Sequence, residues 1–229
     1  MKAFAVTEEF ENSGGIIFAR HDIVARRQAA DEWADGDLSC ITCRRAPWAD
    51  AYGGKPIPAK AMIAHGWHFE CAGCGSRVDE DWLAERRLPI DGVIGTQYSQ
   101  VFCCKSCARR HYRLEYRRKT REAEAIDHFK AMVRKRLPDA DFCDDHPNGH
   151  HAYVQPSRCG WVWRQVAVSF RFPGMVIGPA HFRFDAAPFG RTRDHGPPAP
   201  RYTVPGGDRD TFEAWTERSK EARHDHSNP

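Results

Sequence analysis

Two Cys-x-x-Cys pairs, Cys71/Cys74 and Cys104/Cys107, constrain this chain more than any other feature of its sequence. A Cys-x-x-Cys loop lets two thiolates face one ion across a tight turn. Two such loops complete a tetrahedral four-sulfur site, which suits Zn²⁺ without redox chemistry. Gly75 follows the first pair, where a knuckle needs a positive-φ residue, and the second pair opens a long helix whose N-terminal dipole favours thiolates. Cys103 competes with Cys104 for the third ligand position, and only Cys104 stands two residues from Cys107 in the usual spacing. The expected ligands are therefore Cys71, Cys74, Cys104 and Cys107, holding zinc.

Nine cysteines would signal disulfides in a small secreted protein. The N-terminus MKAFAVTEEF has no signal-peptide core, and no apolar run approaches the ~18 residues of a membrane span. The chain is expected in the cytoplasm and away from membranes, where such spacing signals metal. At 229 residues, with 41% apolar and 28% charged residues, it has room for one large domain or two small ones. A mostly disordered chain and a coiled-coil rod are excluded.

An α+β fold is expected, in three parts. Residues 1–66 read as a ββαβ unit. Its strands span 2–7 and 16–19, joined through Asn12-Ser13-Gly14-Gly15. A helix capped by Asp22 runs from Ile23 to Trp33 with Ile23, Arg27 and Ala30 along one side, and a third strand covers 38–44. Residues 67–138 carry the metal site, a strand-like stretch over 96–102 and one long helix stopped by Pro138. Short helices are read at 59–65, ended by Gly66, and at 79–86. Along the long helix Tyr112, Tyr116, Ala123, Ile126, Phe129, Val133 and Leu137 are spaced as an apolar seam. Residues 139–229 read as antiparallel β. Val166, Val168, Phe170 and Phe172 share one face of a strand, which pairs with a segment over 175–184. A Pro/Gly-rich segment over 185–207 and a final helix with Phe212, Trp215 and Glu221 follow.

The knuckle at Cys71–Cys74, an intervening hairpin and a helix with two cysteines in its first turn together resemble the treble-clef zinc finger over residues 67–115. That resemblance implies a fold and a zinc ion rather than a function. Trp67-His68-x-Glu70-Cys71-x2-Cys74 is also similar to the middle of a LIM domain, which implies a zinc on Cys40, Cys43, His68 and Cys71. The LIM pattern then requires a cysteine where this chain has Arg77, and Cys40 and Cys43 fall on opposite faces of the strand read there. The first 75 residues, through Met1-Lys2-Ala3-Phe4, Gly15-Ile16-Ile17-Phe18-Ala19 and Cys43-Arg44-Arg45-Ala46-Pro47, resemble a module of uncharacterised phage and prophage proteins. This implies a phage-type accessory protein, and so the cytoplasm of a bacterial host.

Between Lys105 and Arg136 stand twelve Lys or Arg against four Asp or Glu, in a chain whose net charge is only +3. Arg109, Arg113, Arg117 and Arg121 form an i, i+4 ladder of like charge, flanked by Arg110 and Arg118. Each like-charged pair costs an isolated helix ~0.2–0.5 kcal/mol. An anionic partner relieves that cost. Nucleic acid is the natural one, and an acidic protein or an acidic surface of the same chain is the other. With the tyrosines on the core seam, stacking on bases is not required.

A second cluster, Cys143-Asp144-Asp145-His146-Pro147-Asn148-Gly149-His150-His151 with Cys159, shares its residue types with HNH nucleases but not their order or spacing. It reads as a polar turn, so no catalytic residue is assigned. A Gly-rich phosphate loop, Gly-x-Ser-x-Gly and His-Glu-x-x-His are all missing from the sequence. The function expected is a non-enzymatic, zinc-binding accessory protein acting on nucleic acid or a host protein. A metal-dependent nuclease using residues 143–151 and an inhibitor of a host enzyme are the alternatives.

Overall fold

Lys2–Glu8 (β1), rich in small and β-branched residues, pairs antiparallel with Gly14–Ala19 (β2) and Ile41–Arg45 (β3), giving the sheet order β2-β1-β3. The computed structural model describes residues 1–10, 13–146, 149–186 and 199–225. Both faces of β1 are covered. Phe4 and Val6 pack with the helix Asp22–Trp33 (α1), while Ala3 packs with Ile16, Ile57 and Met62. The ββαβ unit is thus present, with two differences of detail. Asp22 is the first helical residue rather than the cap. The stripe that α1 buries is Ala25, Ala29 and Ala30, whereas Ile23 and Arg27 are exposed. Small side chains let the helix backbone approach the sheet closely, and that closeness outweighs the transfer energy of one isoleucine. Leu38–Cys40 forms a 3₁₀ turn, with Asp37 accepting from the Ser39 N–H, so β3 begins only at Ile41.

The next layer contains the short helices Ala59–Ile63 (α2) and Glu80–Glu85 (α3). It also holds a two-stranded ribbon of Phe69–Glu70 (β4) and Arg77–Val78 (β5). Asp79 caps α3 by accepting from the Trp82 N–H at 2.9 Å. The expected strand over 96–102 is instead a looped stretch tied by isolated bridges, Pro58 to Thr96, Ile94 to Phe102 and Cys71 to Val101. Gly95 explains part of this. It sits at φ +117°, and a Cβ there would lie 2.4 Å from the Gln100 carbonyl oxygen, so the chain doubles back where a strand would run straight.

Lys105–Arg136 (α4) is a single helix of 32 residues. The chain forms two compact units, Met1–Arg113 and Leu114–Pro229, and the boundary falls within α4. In the second unit Ala125, Phe129, Val133 and Leu137 pack against Val154, Val166, Val168, Phe170 and Phe182. Phe212 and Trp215 of Arg209–Asp225 (α5) complete that core. The upper part of the expected seam is corrected. Tyr112 and Tyr116 are 59% and 74% exposed, and Ala123 is exposed as well. No residue from Arg109 to Glu124 is buried. A stretch dominated by charged residues, with Tyr112, Leu114 and Tyr116 as its large apolar side chains, lies in solvent rather than on a core.

The second unit's sheet runs β10-β9-β8-β6, with β7 also pairing with β8. Its strands are Asp141–Phe142 (β6), His150–Ser157 (β7), Gly160–Arg171 (β8), Ala180–Asp185 (β9) and Arg201–Thr203 (β10). Val166, Val168, Phe170 and Phe172 are buried, as their alternation requires, and β8 pairs antiparallel with β9. β7 begins inside the turn expected over 143–151 and runs on past it, and its histidines, glutamine and proline hide the strand pattern. β10 falls within the segment read as irregular. Of that segment, residues 187–198 lie outside the described residues, as do Asn12 in the first turn and Pro147 and Asn148 in the polar loop.

Asp208 organises the approach to α5. Its carboxylate accepts from the backbone N–H groups of Val176, Ile177 and Gly178 at 2.9, 2.7 and 3.1 Å. Burial alone would raise its pKa, but these three donors outweigh it and hold the carboxyl below its ordinary value. A depressed carboxylate pKa contributes stability above the unfolded-state value, and that stability is lost as pH falls through the folded value. Asp208→Asn should therefore lower the melting temperature at pH 7. The gap between variant and parent should close below about pH 4. Thermal melts at the two pH values check both halves.

Candidate metal centre

The knuckle after β4 is built by its backbone. Cys74 and Gly75 donate to the Cys71 carbonyl at 3.2 and 2.8 Å, and Cys71 donates to the Ser76 carbonyl at 2.9 Å. Gly75 sits at φ +70°, the left-handed conformation its position in the motif predicts. Gly73 has a different role. A Cβ on it would stand 2.7 Å from the Cys107 carbonyl oxygen and 2.8 Å from the Cys107 Cβ. Only a residue without a side chain lets the knuckle close on the first turn of α4. Ala72 anchors the approach from both sides, donating to Val101 O at 2.9 Å and meeting His111 Nδ1 through its carbonyl at 3.1 Å.

The sulfurs of Cys71, Cys74, Cys103 and Cys107 all lie within 4.8 Å of one another, close enough to hold a metal ion. Cys103 Sγ is 3.5 Å from Cys107 Sγ and 4.0 Å from Cys74 Sγ, and the Cys103 N–H points at Cys71 Sγ from 3.4 Å. Cys71, Cys103 and Cys107 are buried, while Cys74 faces solvent. Three of the four expected ligands are therefore gathered. Cys103 stands where the spacing selected Cys104.

The reason lies in the start of the helix. Cys104 immediately precedes α4, and its carbonyl accepts the first helical bond, from Ala108 N at 3.2 Å. Its place directly before the first helical residue makes Cys104 the N-cap. The Cys107 N–H contributes most to holding the Cys104 thiol below its ordinary pKa. The Cys104 sulfur stays beside the cluster, 3.8 Å from Cys103 Sγ, but it is Cys103 that comes within reach of both Cys71 and Cys74.

Three of the gathered thiols, Cys74, Cys103 and Cys107, differ in acidity. Burial pushes Cys107 up to about 12 and raises Cys103 as well. Burial also opposes ionisation of Cys74, but the hydroxyl and backbone N–H of Ser76, with help from Cys71 and Cys107, bring it down to about 7. Crowded sulfurs cannot all ionise without a cation among them. A bound metal ion supplies that charge and displaces the thiol protons.

The other predicted sites are not drawn into this group. Cys40 lies in the 3₁₀ turn beside Asp37, Cys43 sits in β3 opposite Val6, and neither joins His68 and Cys71 in the LIM manner. In the 143–151 segment, Asp144 is held by Lys130 and by His150 Nε2, and Asp145 by Arg171 at 3.0 Å. Among the described residues these groups do not converge on one point as the thiols do. No described protein family, curated protein or solved structure matches the chain. Among the described residues no helix is long and apolar enough to cross a membrane.

The cap assignment separates the two adjacent cysteines experimentally. Cys103→Ser should abolish tight metal retention and destabilise the first unit by several kcal/mol. Cys104→Ser should keep one metal per chain with unchanged or slightly higher stability, because serine is among the preferred N-cap residues. Metal analysis and melting of the two variants check this.

Proposed function

We propose that the protein is a zinc-stabilised, phage-type accessory protein that binds nucleic acid through the exposed basic surface of α4. The observation that carries this reading is the unbalanced charge there. Arg109, Arg110, Arg113 and Arg117 are exposed and have no ion pair among the described residues. Arg118, by contrast, lies between Glu115 and Glu122, at 2.8 and 3.8 Å, and Arg121 meets Glu124 at 2.6 Å. Pairing within the chain thus accounts for two of the six arginines and leaves the rest facing solvent. Phosphates satisfy such a surface, because guanidinium forks bind them bidentately and counterions released from the nucleic acid drive association.

Zinc is favoured by the donor set. Four sulfurs with no oxygen or nitrogen among them suit a soft, redox-silent ion. Metal–sulfur bonds of about 2.3 Å in a tetrahedron imply sulfur–sulfur edges of about 3.8 Å, which the observed 3.5 and 4.0 Å straddle. When bound, the ion supplies cross-linking between the knuckle and the start of α4 rather than reactivity. A knuckle, a helix start and four thiolates support the treble-clef reading. The hairpin β4/β5 flanks the knuckle itself, though, where the resemblance implied one between the two cysteine pairs.

Arginines on one helical stripe track a phosphate backbone without reading bases. Binding should therefore be weakly sequence-dependent, with a log–log salt slope of roughly −3 to −4 for four duplex phosphates. Arg113→Gln with Arg117→Gln should flatten that slope by about two and leave the melting temperature unchanged or slightly higher, since like-charge repulsion is removed. A destabilised double variant, together with no binding by the parent at ~50 mM salt, would refute the reading.

A further inference from the structure

β8 contains a bulge with consequences for its neighbours. Tyr153 of β7 pairs with Gln165, but the next residue, Val154, pairs with Trp163, so Arg164 is an extra residue in β8. Strict alternation back from Phe170, Val168 and Val166 would put Trp161 and Trp163 on the opposite face from those core residues. The bulge reverses this. Trp163 packs edge-on to Phe129 at 5.6 Å and Phe184 at 6.5 Å, and Trp161 packs against the same core. Bulges give up ladder pairing, and they recur where a side chain has to be re-aimed beside a functional site.

The re-aimed tryptophans do not finish in the core. Trp163 stays 37% exposed, with His128 of α4 against it at a ring separation of 5.2 Å. Together they wall a cleft of about 440 Å³, which Arg121 and Glu124 also line. Gly160 also lines it, and a Cβ there would meet no atom within 4 Å. Aromatic walls with a charged rim would also suit a quaternary cation, but the charge is wrong for one. Glu124 is taken by Arg121, and Arg117 lies one helical turn away without a partner among the described residues. With Arg121 and Glu124 matched to each other, the cationic side chain available to a ligand on that side is Arg117.

We propose that this cleft stacks an unpaired base of a single-stranded nucleic acid on Trp163, with the unpaired Arg117, one helical turn along α4, holding the adjoining phosphate. The proposal rests on the nucleic-acid reading of α4 and narrows it to a substrate class. A base within a duplex has both faces covered by its neighbours, so an indole wall can engage only a base that is out of the stack.

The test measures binding of the zinc-loaded full chain to a labelled strand of about 20 nucleotides, as single-stranded DNA, single-stranded RNA and duplex DNA. Tryptophan emission is followed in parallel. At least one single strand should bind about tenfold tighter than the duplex and quench the tryptophan emission. Trp163→Ala should erase that preference without changing duplex affinity or its salt slope. Trp163→Phe, which keeps a ring against Phe129 and Phe184, should lose a smaller part and guards against misfolding of the alanine variant. Equal binding of single strand and duplex by the parent, or full single-strand affinity in both variants, would overturn the stacking site while leaving the backbone reading intact. Quenching by tetramethylammonium but not by either single strand would make the cleft a cation cage. Failure to bind all three probes would remove the nucleic-acid reading itself and the stacking site with it.

Discussion

Everything around the metal centre depends on one steric allowance. The knuckle and the first turn of α4 touch at Gly73, where any side chain would collide with the Cys107 backbone and Cβ. Because that contact is possible, Cys107 reaches Cys103, Cys103 reaches Cys74, and the looped stretch carrying Val101 and Phe102 is drawn in beneath the knuckle. The core there is small, with Ala59, Ile63, Val78, Leu83 and Phe102 among its buried members. A layer with two-residue strands and one-turn helices has little regular hydrogen bonding of its own, and a metal held by the four sulfurs would supply a cross-link at its centre.

Charge on α4 follows a different logic from its packing. Its first turn and its last three turns contribute buried residues, and the stretch from Arg109 to Glu124 contributes none. A helix in water is held by its own hydrogen bonds and by i, i+4 pairs. Within the arginine run Arg118 has such a partner in Glu122, and Arg118 and Arg121 also meet Glu115 and Glu124 at i, i+3 spacing. The unpaired arginines therefore work against the helix, by a few tenths of a kcal/mol for each like-charged pair, unless an anion lies along them. That cost falls on one exposed stretch of α4, from Arg109 to Arg117. The exposed Tyr112, Leu114 and Tyr116 among these arginines add apolar area to it.

The 143–151 segment shows the opposite arrangement. Its acids are matched to cations from α4 and β8, and His150 accepts the Ser169 N–H through Nδ1 at 3.2 Å while its other nitrogen meets Asp144. These contacts tie β7 and the preceding turn to the sheet. Residues of the type used in nuclease sites are thereby engaged in holding a strand edge.

Local signals were enough for much of this molecule. The ββαβ order, the short helix α3, the left-handed Gly75, the length of α4 and the buried face of Val166, Val168, Phe170 and Phe172 all follow from short-range sterics and periodicity. Each of those effects acts over a few residues, so the sequence states it directly. The presence of a four-sulfur cluster was legible in the same way. Which cysteine completes it was not, because Cys103 and Cys104 differ only in how the helix start uses them, and capping geometry exists only once α4 and the knuckle have met. Tyr112 and Tyr116 had core spacing but face solvent, since a seam is buried only where another surface lies against it. The tryptophans of β8 were likewise assigned by a bulge, a long-range pairing choice between β7 and β8 that no local pattern encodes. The sequence determined the elements and the chemistry available, while the tertiary structure decided which side chains share a space, because that depends on contacts between residues far apart in the chain.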